Sequence, residues 1–121
     1  MAYTDRIVRE DFTNLGPDVW VEIWNPVMWP FAKLRLREVK KVEQIQDDGS
    51  TLKVEDPDDG DAAVREMYVT MIKAWNVPDA GSDAEDPPML GSPVSEHFDR
   101  NVPAVIVKWL SKQYVEAIHP Q

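Results

Sequence analysis

The sequence predicts an α+β fold, with N-terminal β-hairpins followed by a C-terminal bundle of about three helices. Three observations carry that prediction. Val19-Trp-Val-Glu-Ile-Trp24 is a β-branched and aromatic run with period-two alternation. Val64, Met67, Tyr68, Met71, Ile72 and Trp75 recur at helical spacing. Val102, Val105, Ile106, Trp109, Leu110 and Ala117 repeat that spacing near the C-terminus. Strands come first and helices last, the order of a segregated α+β domain.

The first strand pair is read from the 19–24 run and from Arg6-Ile-Val-Arg-Glu-Asp-Phe12, joined through the turn chemistry of Asn14-Leu-Gly-Pro-Asp18. Alternation places Val19, Val21 and Ile23 on one face and Trp20, Glu22 and Trp24 on the other. Residues 27–55 fit two patterns. Pro30 could open a helix carrying Phe31, Leu34, Glu38, Val42 and Ile45, whereas Lys33-Leu-Arg-Leu-Arg37 alternates like a strand. The reading adopted is a short helix or turn followed by a hairpin, with Asp47-Asp-Gly-Ser50 as the turn between Val42–Gln46 and Thr51–Glu55. The central helix is expected to start at an Asp61 cap and to run until Asn76-Val-Pro78. Ser92-Pro93 is read as opening a short helix through Asp99, and Asn101-Val-Pro103 as opening the last one, which ends near His119-Pro120. The whole chain forms one domain: a strand-rich part over 1–56, an acidic linker over 57–61 and a helical part over 62–121.

Composition narrows the function classes. The 121 residues carry 13 Lys+Arg against 22 Asp+Glu, a net charge of −9. Such a field repels phosphate backbones and anionic lipid, so neither nucleic acid nor membrane is an expected partner. No apolar run reaches the length of a membrane span, and residues 1–11 lack the apolar core of a secretory signal. There is no cysteine, so disulfides, thiolate metal sites and cysteine nucleophiles are excluded. Seven carboxylates lie between Asp47 and Asp61, and a second acidic run spans Pro78–Pro88. Neither matches a calcium loop: counting from Asp56 puts Gly60 at position five and Met67 at position twelve. Both runs are therefore read as solvated loops. Ser95 and His97, two apart, cannot meet on a helix, and no phosphate loop or nucleophile elbow is present. The expectation is a non-enzyme with no catalytic residues, no metal and no cofactor.

Trp20, Trp24 and Trp29 fall within ten positions, with Val27, Met28 and Phe31 beside them. Pro26 and Pro30 deny this stretch regular structure, so large apolar groups sit on an irregular loop. That pattern fits core packing and interface equally. The candidate partner-binding residues are Trp24, Val27, Met28, Trp29 and Phe31, with the basic Lys33–Arg37 stretch alongside.

The order of these pieces resembles a known family. Trp20-Val-Glu-Ile-Trp-Asn-Pro26 is similar to a segment near the start of small tail-gene proteins of long-tailed, siphovirus-type bacteriophages. Ile72-Lys-Ala-Trp-Asn-Val77, an acidic loop, Pro87-Pro-Met-Leu90, Pro93 and Val102-Pro-Ala-Val-Ile106 resemble their C-terminal half. The family is the tail assembly chaperones encoded ahead of the tape-measure gene, and the resemblance covers about Asp18–Pro26 and Met67–Ile118. The Lys40–Asp61 segment and the extra tryptophans depart from its pattern. The resemblance implies a non-catalytic protein of the host bacterial cytoplasm that binds the phage tape-measure protein and the tail-tube protein, with self-association as a further partner reading. The alternative is a virion structural protein: a head–tail connector, tail terminator or capsid decoration subunit. An acidic DNA mimic is a third class, disfavoured because the carboxylates cluster in Gly/Pro-rich loops.

Overall fold

Strand β2 (Trp20–Trp24) is the centre of the molecule, because both of its edges are taken. β1 (Ile7–Asp11) pairs with it antiparallel on one side, with Arg9 opposite Glu22 and Ile7 opposite Trp24. On the other side lies β5 (Ile72–Asn76), also antiparallel, with an irregularity between Glu22 and Ile23. The computed structural model describes residues 5–119. Between β2 and β5 the chain forms two 3-10 turns, Pro26–Met28 and Phe31–Leu34. It then forms a hairpin of β3 (Lys41–Ile45) and β4 (Thr51–Glu55), and helix α1 (Pro57–Met71). After β5 come a four-residue helix α2 (His97–Arg100) and the long α3 (Ala104–Ile118). Antiparallel strands first and a region of about three helices afterwards make the chain α+β, as the sequence predicts.

The inner sheet face is the predicted one. Val19, Val21 and Ile23 are buried, the last two completely. They join Met67, Tyr68 and Met71 of α1, Ile72 of β5, Val77, and Val102, Ile106 and Leu110 at α3 in one apolar cluster. Helices α1 and α3 each present one stripe to this cluster, with apolar residues every three or four positions. Val105 and Val115 of α3 face outward, 47% and 50% exposed, so this helix keeps an exposed side.

Three boundaries differ from the sequence reading. Helix α1 begins at Pro57, not after Asp61: the Asp56 side chain accepts the Asp58 N–H at 3.1 Å, and proline follows at the first helical position. Residues 57–61 are thus the helix's first turn, not a linker, and Asp58 and Asp59 sit where the helix dipole favours acid. The helix stops at Met71, where the Ile72 N–H closes on the Tyr68 and Val69 carbonyls. Ile72 to Asn76, read as helix, are strand, because β2 offers a free edge over a buried face and β-branched and aromatic side chains suit it. Pro93 opens no helix; the short helix starts at His97. Pro120, named as a stop for the last helix, lies outside the described residues; Ile118 ends α3.

The hairpin follows the adopted reading. Gly49 takes a left-handed φ of 85° in the turn, and Val42 faces Val54 across the ladder. It belongs to a sheet of its own, apart from β1-β2-β5.

Candidate interaction surface

The predicted segment starts where β2 ends. The Asn25 side chain accepts the Val27 N–H at 3.2 Å and donates to the Asp5 carbonyl at 2.7 Å. Its backbone N–H donates to the Arg6 carbonyl at 2.7 Å, and the residue is 2% exposed. An amide that can both donate and accept is suited to this position, because it bridges a carbonyl and an N–H that have no other partner among the described residues. Pro26 is buried beside it and starts the first 3-10 turn, which lies against α3. The second turn is tied to the same helix by the Tyr114 hydroxyl, which donates to the Leu34 carbonyl. Burial pushes the Tyr114 hydroxyl above its usual pKa, with Tyr68 adding to the shift.

This scaffold splits the five candidate residues. Trp29 is half-buried and packs on the core, with the Lys33 ammonium 4.5 Å from its ring centroid. Val27 is half-buried as well. Trp24, Met28 and Phe31 are exposed at 41%, 38% and 75%. Three of the five therefore present apolar surface on a backbone fixed by Asn25, Pro26 and Tyr114, while Trp29 belongs in part to the core.

The outer face of the sheet continues this surface, and sequence reasoning missed most of it. Ile7 stands opposite Trp24 and is 41% exposed. The Arg9 guanidinium lies 4.5 Å over the Trp20 ring, and the Lys73 ammonium lies 5.7 Å from the Trp24 ring. Glu22, between the two tryptophans, pairs with Arg9 at 3.3 Å and Lys73 at 3.9 Å. The outer face is partly covered, Trp20 and Glu22 being half-buried. Its cover is cationic side chains over aromatic rings, contacts worth about 0.5–1 kcal/mol each at exposed sites. Arg9 and the Arg6–Phe12 strand were legible by alternation. Lys73 was not, because its segment was read as helix.

The basic stretch beside the segment is only partly available. Arg37 forms a bidentate pair with Asp59, at 3.0 and 2.9 Å, and bonds Glu66 at 2.9 and 3.0 Å. Asp59 also accepts the Lys40 N–H at 2.7 Å. Hydrogen bonds from Arg37, then from the Lys40 N–H, lower the Asp59 pKa to about 2, and Arg37 likewise lowers Glu66. The cluster ties the hairpin to α1. The second acidic run is also anchored. Asp79 accepts the Asn101 side chain at 2.8 Å and the Gly81 N–H at 2.9 Å, and both hold its pKa below the ordinary range.

Among the described residues, no group of three or more His, Asp or Glu could hold a metal ion. A cleft of about 360 Å³ lies between the 15–19 turn and the 86–89 segment, lined by Leu15, Pro17, Val19, Asn76, Pro78 and Met89 among others. No helix among the described residues is long and apolar enough to cross a membrane. Comparison with protein-family models, with curated proteins and with solved structures finds no match.

Proposed function

We propose that this chain is a tail assembly chaperone of a long-tailed bacteriophage. In this reading it binds the tape-measure protein, recruits tail-tube subunits, performs no catalysis and acts in the host bacterial cytoplasm. The observation that carries the reading is the apolar surface of Trp24, Met28 and Phe31, held at the end of β2 and on the two short turns that follow, beside Ile7. Exposed aromatic and methionine side chains on a fixed backbone suit an apolar stripe of a helical partner. A charge of −9 keeps the complex soluble while that stripe is covered. The resemblance of Trp20–Pro26 adds support, since that segment is the central strand together with the Asn25–Pro26 joint from which the surface projects.

Co-expression with the tape-measure protein encoded next to it is expected to give a soluble complex. Phe31→Ser and Trp24→Ser together should weaken that complex by about 2 kcal/mol or more. The Phe31→Ser single variant should keep its unfolding midpoint close to wild type, because that side chain is 75% exposed. Absence of any association at low salt would overturn the reading. Recovery of the chain in purified virions at fixed copy number would make it a structural component instead.

A further inference from the structure

The β3–β4 hairpin carries the same tripeptide in both strands, Lys41-Val42-Glu43 and Lys53-Val54-Glu55. Its register lays one on the other: Lys41 faces Glu55, Val42 faces Val54 and Glu43 faces Lys53. Antiparallel pairing of this tripeptide with itself is two-fold symmetric, and every lysine meets a glutamate. The same match is therefore open to two separate chains.

The outer edge of β3 displays that tripeptide with the backbone groups of Lys41 and Glu43 directed away from β4. The Gln46 N–H donates to the Ser50 carbonyl and the Asp56 N–H to the Lys40 carbonyl, both at 2.8 Å. Even-numbered residues therefore spend their N–H and C=O groups on β4, and Lys41, Glu43 and Ile45 direct theirs outward. Every residue of β3 is exposed, Ile45 at 78%. No other strand among the described residues pairs with this edge.

We propose that two copies of this chain associate by antiparallel pairing of their β3 edges about a two-fold axis at Val42, forming a four-stranded sheet. In this register Lys41 of each copy faces Glu43 of the other, Ile45 faces Val39, and Val42 faces Val42. The outward groups of residues 41 and 43 make the hydrogen bonds. The valine pair falls at the close, non-hydrogen-bonded spacing, where side chains touch. An axis at Glu43 instead would set glutamate against glutamate, so charge selects the register. Lysine on an edge strand usually discourages pairing, but here it is answered by an acid at the matching position. The β4 edge is less suited. A two-fold at Val54 sets Thr51 against Pro57, which has no N–H and already opens α1. The pairing also extends an apolar strip. Val42 and Leu52, 38% and 53% exposed, share one hairpin face with Val54, and a lone two-stranded sheet is marginal in water.

Sedimentation of the full chain from micromolar to millimolar concentration tests this. Wild type is expected to show a reversible monomer–dimer equilibrium. Lys41→Glu alone and Glu43→Lys alone should each weaken the dimer about tenfold, since like charges then face each other twice. An equimolar mixture of the two variants should regain wild-type affinity, because every acid again meets a base. A hairpin merely weakened by the substitutions would not recover on mixing. Glu43→Pro, which removes an outward donor without taking a bond from β4, should leave a folded monomer by circular dichroism. A wild type that stays monomeric throughout, a dimer indifferent to these changes, or a mixture no tighter than its components would each overturn the proposal.

Discussion

Strands β2 and β3 are each five residues long and both end near turn chemistry, yet their environments are opposite. β2 has partners on both edges and buries Val21 and Ile23 completely. β3 has one partner and buries nothing. The difference lies in what covers each side. The inner face of β2 meets α1 and α3 in one cluster, whereas the hairpin is tied to the rest mainly through Arg37, Lys40 and Asp59. Alternation alone reports that a segment can be a strand; burial depends on which helices the chain brings back over it.

The largest expected effect tests the buried strand. Ile23→Ala should cost about 2–5 kcal/mol in chemical denaturation, the usual range for emptying a packed isoleucine site. Ile45→Ala in β3 should change the midpoint by no more than about 0.5 kcal/mol. Similar losses at the two positions would mean that the hairpin is as integrated as the sheet.

A smaller effect belongs to the joint where β2 leaves the sheet. Asn25→Ala removes both part-buried hydrogen bonds, to the Asp5 carbonyl and from the Val27 N–H, and should cost about 1 kcal/mol. It should also blur the Trp24–Phe31 surface, read as faster amide exchange at Val27 and Met28.

The smallest effect sharpens the comparison from the hairpin's side. Arg37→Gln should leave global stability close to wild type, since the ion pairs are screened by solvent, while amide exchange in β3 and β4 accelerates. Acid should mimic it. The Asp59 carboxylate, about 2 in the fold against an ordinary 3.8, favours the native state fully above about pH 4. That contribution fades as pH falls toward 2, and Glu66, lowered from 4.5, fades in step. Wild-type hairpin protection should therefore drop between pH 4.5 and 2. Arg37→Gln should flatten that drop.

Of the candidate surface, the composition of residues 24–31 was legible, but its division was not. Trp29 and Phe31 look alike in the sequence, two apolar aromatics flanking Pro30. Only the packing of the first turn on α3 puts one against the core and leaves the other 75% exposed. The five tryptophans show the same thing. Trp20 lies under Arg9 and Trp29 under Lys33; Trp24 stands exposed with Lys73 near its ring. Trp75 donates to the Gly91 carbonyl at 2.8 Å, and Trp109 meets Phe12 edge-on.

By itself the sequence determined what neighbouring residues decide: the 19–24 strand, the Asp47–Ser50 turn, the 64–71 stripe and the proline that opens α3. The Asp56-Pro57 start of α1 was equally local. It carries the same cap-and-proline signal read at Ser92-Pro93, but it was hidden inside a run of acids taken to be solvated. Tertiary structure alone decided that Ile72–Asn76 leave the helix for the sheet, where the open edge of β2, some fifty residues earlier, outweighs helical spacing. It also decided that Arg37 is spent on Asp59 and Glu66, and that β3 keeps a free edge. Helix caps and turns are set within a few bonds, whereas burial, strand partners and ion pairs depend on residues that only the folded chain brings together.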